Sequence, residues 1–266
     1  MIIAKDIVYF ADNNKDKLLD KVSITLTPGK ITGILGANGA GKSLLMKCLS
    51  GSISPSQGTI SLDNIPLHKY SLRQLAKRRA YLSQSSSAVL SFTSMDIVLM
   101  GRYPFFINGD YKPEDRLIAQ HAMKKVGIWH LRDRIFSKLS GGEKQLVNCS
   151  RVLAQLWGQK NCFLFLDEPT SSLDIGGKHR FLNMLLTIAT QNEIAVCIIM
   201  HDVSLAAQIS DEIILLVKGK VCDYGSPKEV CSKNNISEAF SIPHDLLYEY
   251  NNTGTLLPES HLVIYK

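Results

Sequence analysis

Gly36-Ala37-Asn38-Gly39-Ala40-Gly41-Lys42-Ser43 is the stretch that decides the fold. It matches G-x-x-x-x-G-K-[ST], and its surroundings fit: residues 30–35 (Lys-Ile-Thr-Gly-Ile-Leu) read as an apolar strand and residues 42–49 as an amphipathic helix. Glycines let backbone N–H groups turn inward around phosphate oxygens, and a helix starting at the loop adds the positive end of its dipole. In this pattern Lys42 contacts the β- and γ-phosphates of a nucleotide and Ser43 can ligate Mg²⁺.

Outward from the loop, strand-like runs alternate with helical patterns, which predicts an α/β domain with a largely parallel sheet. Residues 162–166, 195–200 and 213–217 read as further strands buried on both faces. Between 85 and 156 the strand pattern gives way to helical periodicity. At 115–126, for example, Leu117, Ile118, Ala122, Met123 and Val126 share one side. The expected organisation is a P-loop NTPase core over residues 1–85 and 157–240, a helical subdomain inserted at 86–156, and a C-terminal tail at 241–266. The pattern over 226–266 is mixed and leaves the fold of that end unread.

Two further motifs carry chemistry. Phe163-Leu164-Phe165-Leu166-Asp167-Glu168-Pro169 is an apolar strand ending in two carboxylates, and in open parallel sheets ligands sit at the carboxyl ends of strands. There Asp167 can hold the Mg²⁺ shell and Glu168 can polarise the water that attacks a γ-phosphate. Leu139-Ser140-Gly141-Gly142-Glu143 opens a helical stretch toward Leu156. Ser140 and Glu143 form an S-x-x-E capping box, which explains an ordinary helix start. Two glycines weaken a helix, however, and bare N–H groups at its start also suit an anion.

The 266 residues are 45% hydrophobic, enough for a sizeable core and too many for a disordered chain. The net charge of +6 is dispersed, so nucleic acid is not expected as a partner and a surface near acidic lipid fits as well. The apolar runs fall far short of the roughly 20 residues that span a bilayer. Met1-Ile2-Ile3-Ala4-Lys5-Asp6 lacks the pattern of a signal peptide, and none is expected. The six cysteines show no Cys-x-x-Cys spacing and mostly sit in apolar runs, which predicts buried thiols in a reducing compartment.

In this order, the loop at 36–43, Gln84 after Ala80-Tyr81-Leu82-Ser83, Leu139-Ser140-Gly141-Gly142-Glu143, Leu166-Asp167-Glu168-Pro169, Ser172-Leu173-Asp174 and His201-Asp202 resemble the ATP-binding subunits of ABC transporters. The resemblance covers nearly the whole chain and implies a RecA-like P-loop ATPase core with a helical signature subdomain. It further implies a head-to-tail homodimer with two ATP molecules at its interface. Each would be held by Gly36, Ala37, Asn38, Gly39, Ala40, Gly41, Lys42, Ser43 and Leu44 of one subunit and by Ser140, Gly141, Gly142 and Glu143 of the other. By the same resemblance Glu168 and His201 are catalytic, with His201 on the γ-phosphate. Ser43, Gln84 and Asp167 surround Mg²⁺, and Asp174 links the two sites.

The chain departs from the family pattern in places. Leu44 stands where a second Ser/Thr is usual, and Lys144-Gln145-Leu146 replaces a run that usually contains Arg. Ala11 falls where an aromatic stacks on adenine; Tyr9 or Phe10 could substitute, or both could be core strand residues.

Residues 151–157 and 195–202 and Ser204-Leu205-Ala206-Ala207 resemble the haem-import branch. Met100-Gly101-Arg102-Tyr103-Pro104 is similar to the wider group importing haem, ferric siderophores and cobalamin. This implies a motor at the cytoplasmic face of the plasma membrane, attached to permease subunits and linked through them to a periplasmic or surface haem-binding protein. Residues 84–111, with Phe92, Tyr103, Phe105 and Phe106, are the expected permease-docking surface, although these aromatics could equally pack the insert. The rivals are a ferric-siderophore or cobalamin importer ATPase and, from another class, a soluble ABC ATPase acting on nucleic acid or ribosomes. A single loop and a single signature argue against the last.

Overall fold

The strand that feeds the glycine loop is buried at every position, as are two others, and these fully buried runs set the frame of the protein. The computed structural model describes residues 1–11, 16–83, 91–106 and 110–247, with the backbone of 249–250 and 255–256. The elements run β1 (Ile2–Phe10), β2 (Lys17–Leu26), β3 (Ile31–Leu35), α1 (Lys42–Leu49), β4 (Gln57–Leu62), β5 (Ile65–Pro66), α2 (Leu72–Arg78), β6 (Arg79–Leu82), α3 (Ser94–Leu99) and α4 (Pro113–Val126). They continue with α5 (Gly141–Leu156), β7 (Phe163–Asp167), α6 (Ile175–Asn192), β8 (Ala195–Ile199), α7 (Val203–Ile209), β9 (Glu212–Val217), β10 (Lys220–Gly225), α8 (Pro227–Val230) and α9 (Lys233–Phe240). The chain forms two compact units, Met1–Lys69 with Ala195–Lys266, and Tyr70–Ile194.

In the first unit β3 lies between β8 and β9, parallel to both, with Ile34 opposite Ile199 on one side and Ile214 on the other. Burying each such Ile or Leu stabilises by about 1.5–3 kcal/mol, and Ile34→Ala would forfeit about 2–5 kcal/mol through transfer and cavity terms together. Polar groups fix the register at the strand starts. The Asp211 carboxylate accepts the Ile31 N–H at 2.8 Å, and Lys30 pairs with Glu212 at 2.6 Å. Tyr224 donates to Glu212 and to the Thr25 carbonyl, both at 2.9 Å, and burial followed by the Glu212 contact pushes its phenol up to about 12. A second, antiparallel sheet in the order β2-β1-β4-β5 goes unannounced by the sequence motifs. Its signal is alternation: Val22, Ile24 and Leu26 are buried while Lys21 and Ser23 are exposed. Of the unread end, the described part holds α8 and α9, started by Ser226 and Ser232, then a 3₁₀ turn at His244–Leu246 and an antiparallel pairing of 249–250 with 255–256.

In the second unit β6 and β7 pair in parallel, Leu82 opposite Leu166, and the other regular elements among its described residues are helices. The helix expected at 115–126 is α4, which starts two residues earlier at a proline suited to the first turn; its buried face carries Asp115, Ala119, Ala122 and Met123, while Leu117, read onto the apolar side, is exposed. Helix α6, missed from sequence because Gly176 and Gly177 open it, is started by the Asp174 carboxylate accepting the Gly177 N–H at 2.6 Å. Among the described residues no disulfide forms and five of the six cysteines are buried, Cys222 being exposed. No described helix is long and apolar enough to cross a membrane.

Candidate functional site

The predicted residues fall into two groups, one in each unit. In the first, the loop at 36–43 links β3 to α1 by a path that only glycine can follow. Gly36 has φ +146°, and a Cβ there would lie 2.2 Å from the Leu216 carbonyl oxygen. Gly41, at φ +99°, occupies the N-cap of α1 and brings no capping side chain. Backbone N–H groups at such an uncapped start fit an anion. Ala37 is half-buried, Asn38 and Gly39 are exposed, and Ala40 is buried. Lys42 is only 6% exposed, its Nζ donating to the carbonyls of Gly36 at 2.8 Å and Ala37 at 3.0 Å. Ser43 and Leu44 follow, half-buried in the first turn.

His201 stands just beyond β8, the parallel neighbour of β3, and the Met200 N–H reaches the Ile34 carbonyl at 3.5 Å. The loop and His201 therefore lie at the carboxyl ends of adjacent parallel strands, where α/β sheets bind ligands. Tyr9 and Phe10 are half-buried at the end of β1 and pair with Leu19 and Lys17 of β2.

In the second unit Asp167 ends β7, 3% exposed, and the Tyr81 hydroxyl of β6 donates to its Oδ2 at 3.3 Å. Sequence reasoning does not single out Tyr81 as a site residue; the signal available is its position on the strand preceding Gln84, in register with Phe165. Gln84 itself lies outside the described residues. Glu168 has φ +49°, a left-handed backbone that costs a non-glycine residue about 1–2 kcal/mol. Strain of this kind persists where the surroundings impose it and concentrates at functional sites. The Glu168 carbonyl accepts from the N–H and hydroxyl of Ser171, at 3.3 and 3.1 Å, which holds the turn toward Asp174.

The capping box at the start of α5 is present: the Ser140 N–H donates to Glu143 Oε2 at 2.8 Å and the Glu143 N–H to Ser140 Oγ at 3.3 Å. The Ser140 N–H, and after it the Ser140 hydroxyl, hold the Glu143 carboxyl below its usual range, with Arg134 adding a little. The two glycines differ. A Cβ on Gly142 would come 2.9 Å from the Ser172 carbonyl oxygen, so packing requires it, whereas Gly141 is exposed and would meet nothing closer than 3.8 Å. Packing therefore accounts for Gly142 and leaves Gly141 without a packing reason.

The Ser43 hydroxyl and the buried Asp167 carboxylate are hard oxygen donors of the type Mg²⁺ takes alongside nucleotide phosphates. Among the described residues no three His, Cys, Asp or Glu side chains gather into a site for a different metal.

The sequence profile of the ABC transporter family matches residues 19–171. A relative from Methylobacillus flagellatus, Hemin import ATP-binding protein HmuV, is 38% identical over 232 residues, covering 86% of this chain and 86% of its own. The protein of the same name from Escherichia coli O157:H7 is 36% identical over 263 residues, 98% of this chain and 100% of its own. Among solved structures, an inward-facing transporter assigned to the metal-chelate type is 26% identical, with a TM-score of 0.79 over 97% of this chain and 96% of that one.

Proposed function

The chain belongs to the ABC transporter family, and from that membership we propose that it is the ATP-hydrolysing motor of a haem importer. The observation that carries the reading is the strained Glu168 one residue beyond a buried strand-end aspartate, in a chain whose near-full-length relatives bear a hemin-import name.

In this reading the glycine loop and the start of α1 bind the phosphates of ATP, and Lys42 leaves its carbonyl partners to meet the β- and γ-phosphates. Glu168 accepts the proton of the attacking water, and His201 contacts the γ-phosphate. Ser43, Asp167 and Gln84 would hold Mg²⁺, which when bound neutralises charge on the phosphate oxygens. A second copy of the chain supplies Ser140, Gly141, Gly142 and Glu143 across the nucleotide. ATP then favours the closed homodimer because the γ-phosphate is held by both subunits, and hydrolysis removes that bridge.

The subunit sits peripherally on the cytoplasmic face of the plasma membrane and docks to a permease that receives haem from a binding protein. The docking face is apolar and exposed: Tyr103 is 72% exposed and Leu72 on α2 is 80% exposed, with Phe92 exposed as well. Phe105 is instead half-buried, beneath Arg102 and Lys77. Deleting the gene tests the cargo: cells should stop growing on haem as sole iron source while still growing on a ferric siderophore, and the reverse pattern would reassign the substrate.

A further inference from the structure

One buried arginine, within Met100-Gly101-Arg102-Tyr103-Pro104, has no part in the nucleotide site described above. Arg102 lies in the 3₁₀ turn Met100–Phe105, which follows α3, and is 5% exposed. Its Nε donates to Asp115 Oδ1 at 2.9 Å and its Nη1 to the Ala154 carbonyl at 2.8 Å, while the guanidinium sits 4.0 Å over the Phe105 ring. Asp115 is itself 5% exposed, and its Oδ2 accepts the Lys112 N–H at 2.9 Å at the start of α4. Ala154 lies in the last turn of α5, where its carbonyl accepts the Trp157 N–H at 3.4 Å as well as Arg102. One guanidinium therefore joins the turn, the N-terminal end of α4 and the C-terminal end of α5, with each charge placed to suit the helix dipole it meets. The backbones are equally close: a Cβ on Gly101 would fall 2.1 Å from the Arg151 carbonyl oxygen.

A buried ion pair is a poor way to gain stability, since apolar side chains of similar volume often do as well, so its presence calls for a role in fixing position. The outer side of the same turn carries the exposed Tyr103, whose ring meets Phe106, which meets Tyr111. That outer side is held independently, because Arg73 of α2 donates to the carbonyls of Pro104 and Phe106. At its other end α5 begins with the signature residues.

We infer that Arg102 is a positioning residue that makes the docking turn, α4 and the signature helix move as one body, so that displacement at Tyr103 reaches Ser140. This rests on the docking face assigned above. Without Arg102 the face stays formed through Arg73, and what is lost is its link to α5.

The test uses the subunit alone and assembled with its permease. The double variant Arg102→Met, Asp115→Asn removes both charges together, keeps an unbranched stem beside Phe105, and leaves an amide oxygen to accept from Lys112. Its ATPase activity alone should stay near wild type and it should still copurify with the permease. Stimulation of hydrolysis by the permease and its loaded binding protein should fall at least about fivefold, the lower end of ordinary coupling between sites. Arg102→Lys, which can serve Asp115 or Ala154 but not both, should fall between the two, a grading that a merely unstable subunit would not give. Wild-type stimulation in the double variant overturns the inference, and so does loss of copurification, which would make Arg102 a builder of the docking face. Tyr103→Asp, run beside them, reports on the docking face alone: undiminished copurification would refute that assignment, while the coupling role of Arg102 would still be decided by the stimulation ratio of its own variants.

Discussion

The Nζ of Lys42 donates to the carbonyl of Gly36 at 2.8 Å, so the lysine of the glycine loop is folded over the loop's own first turn. A charged donor kept against carbonyls is positioned to exchange them for phosphate oxygens, to which it bonds more strongly because both partners are then charged. The loop path does not depend on the lysine, since it is set by Gly36 and Gly41.

Lys42→Ala should therefore fold and still lose ATP affinity by at least about tenfold, the worth of one charge-assisted hydrogen bond. Titration with a fluorescent ATP analogue measures it, and affinity within twofold of wild type would remove Lys42 from phosphate binding.

Glu168→Gln should keep ATP binding and hydrolyse at least about a hundredfold more slowly, since general-base assistance contributes roughly 10²–10⁴. Single-turnover hydrolysis at saturating Mg²⁺ is the measurement. A rate near wild type would assign the proton transfer elsewhere.

Tyr81→Phe takes away the hydroxyl that donates to Asp167 Oδ2 and leaves the ring beside Phe165 in place. Partners that orient a metal-holding carboxylate are worth about 10–100-fold in affinity or activity. Hydrolysis should accordingly need several-fold more Mg²⁺ for half its maximum rate. An unchanged Mg²⁺ dependence would reduce the Tyr81 contact to packing.

Ser140→Arg should leave ATP binding by the separated subunit intact and block the closed dimer, because the proposed reading has Ser140 act across the interface on the nucleotide of the other copy. In a Glu168→Gln background, gel filtration with ATP should show a dimer that disappears when the arginine is added. A dimer that persists would contradict the shared site.

What is legible in the sequence follows from how local each signal is. Strands β3, β7 and β8 announce themselves because burial on both faces makes a continuous apolar run, and the residues that follow them are the motifs themselves. The antiparallel sheet escapes notice because its strands bury one face only, so Val22, Ile24 and Leu26 are interleaved with Lys21 and Ser23. Gly142 shows the other limit: its requirement comes from the Ser172 carbonyl, thirty residues on, and no spacing rule reveals such an approach. The Tyr81 contact to Asp167 and the Arg102 junction are likewise products of tertiary packing, invisible in any single stretch.

Haem-driven hydrolysis tests the central claim most directly. With the subunit and its permease in proteoliposomes, ATPase activity should rise when the matching binding protein presents haem, because a substrate favouring the transport-competent state shifts the motor's equilibrium. The subunit alone should not respond. Stimulation by a ferric siderophore or cobalamin with their binding proteins, and none by haem, would contradict the account.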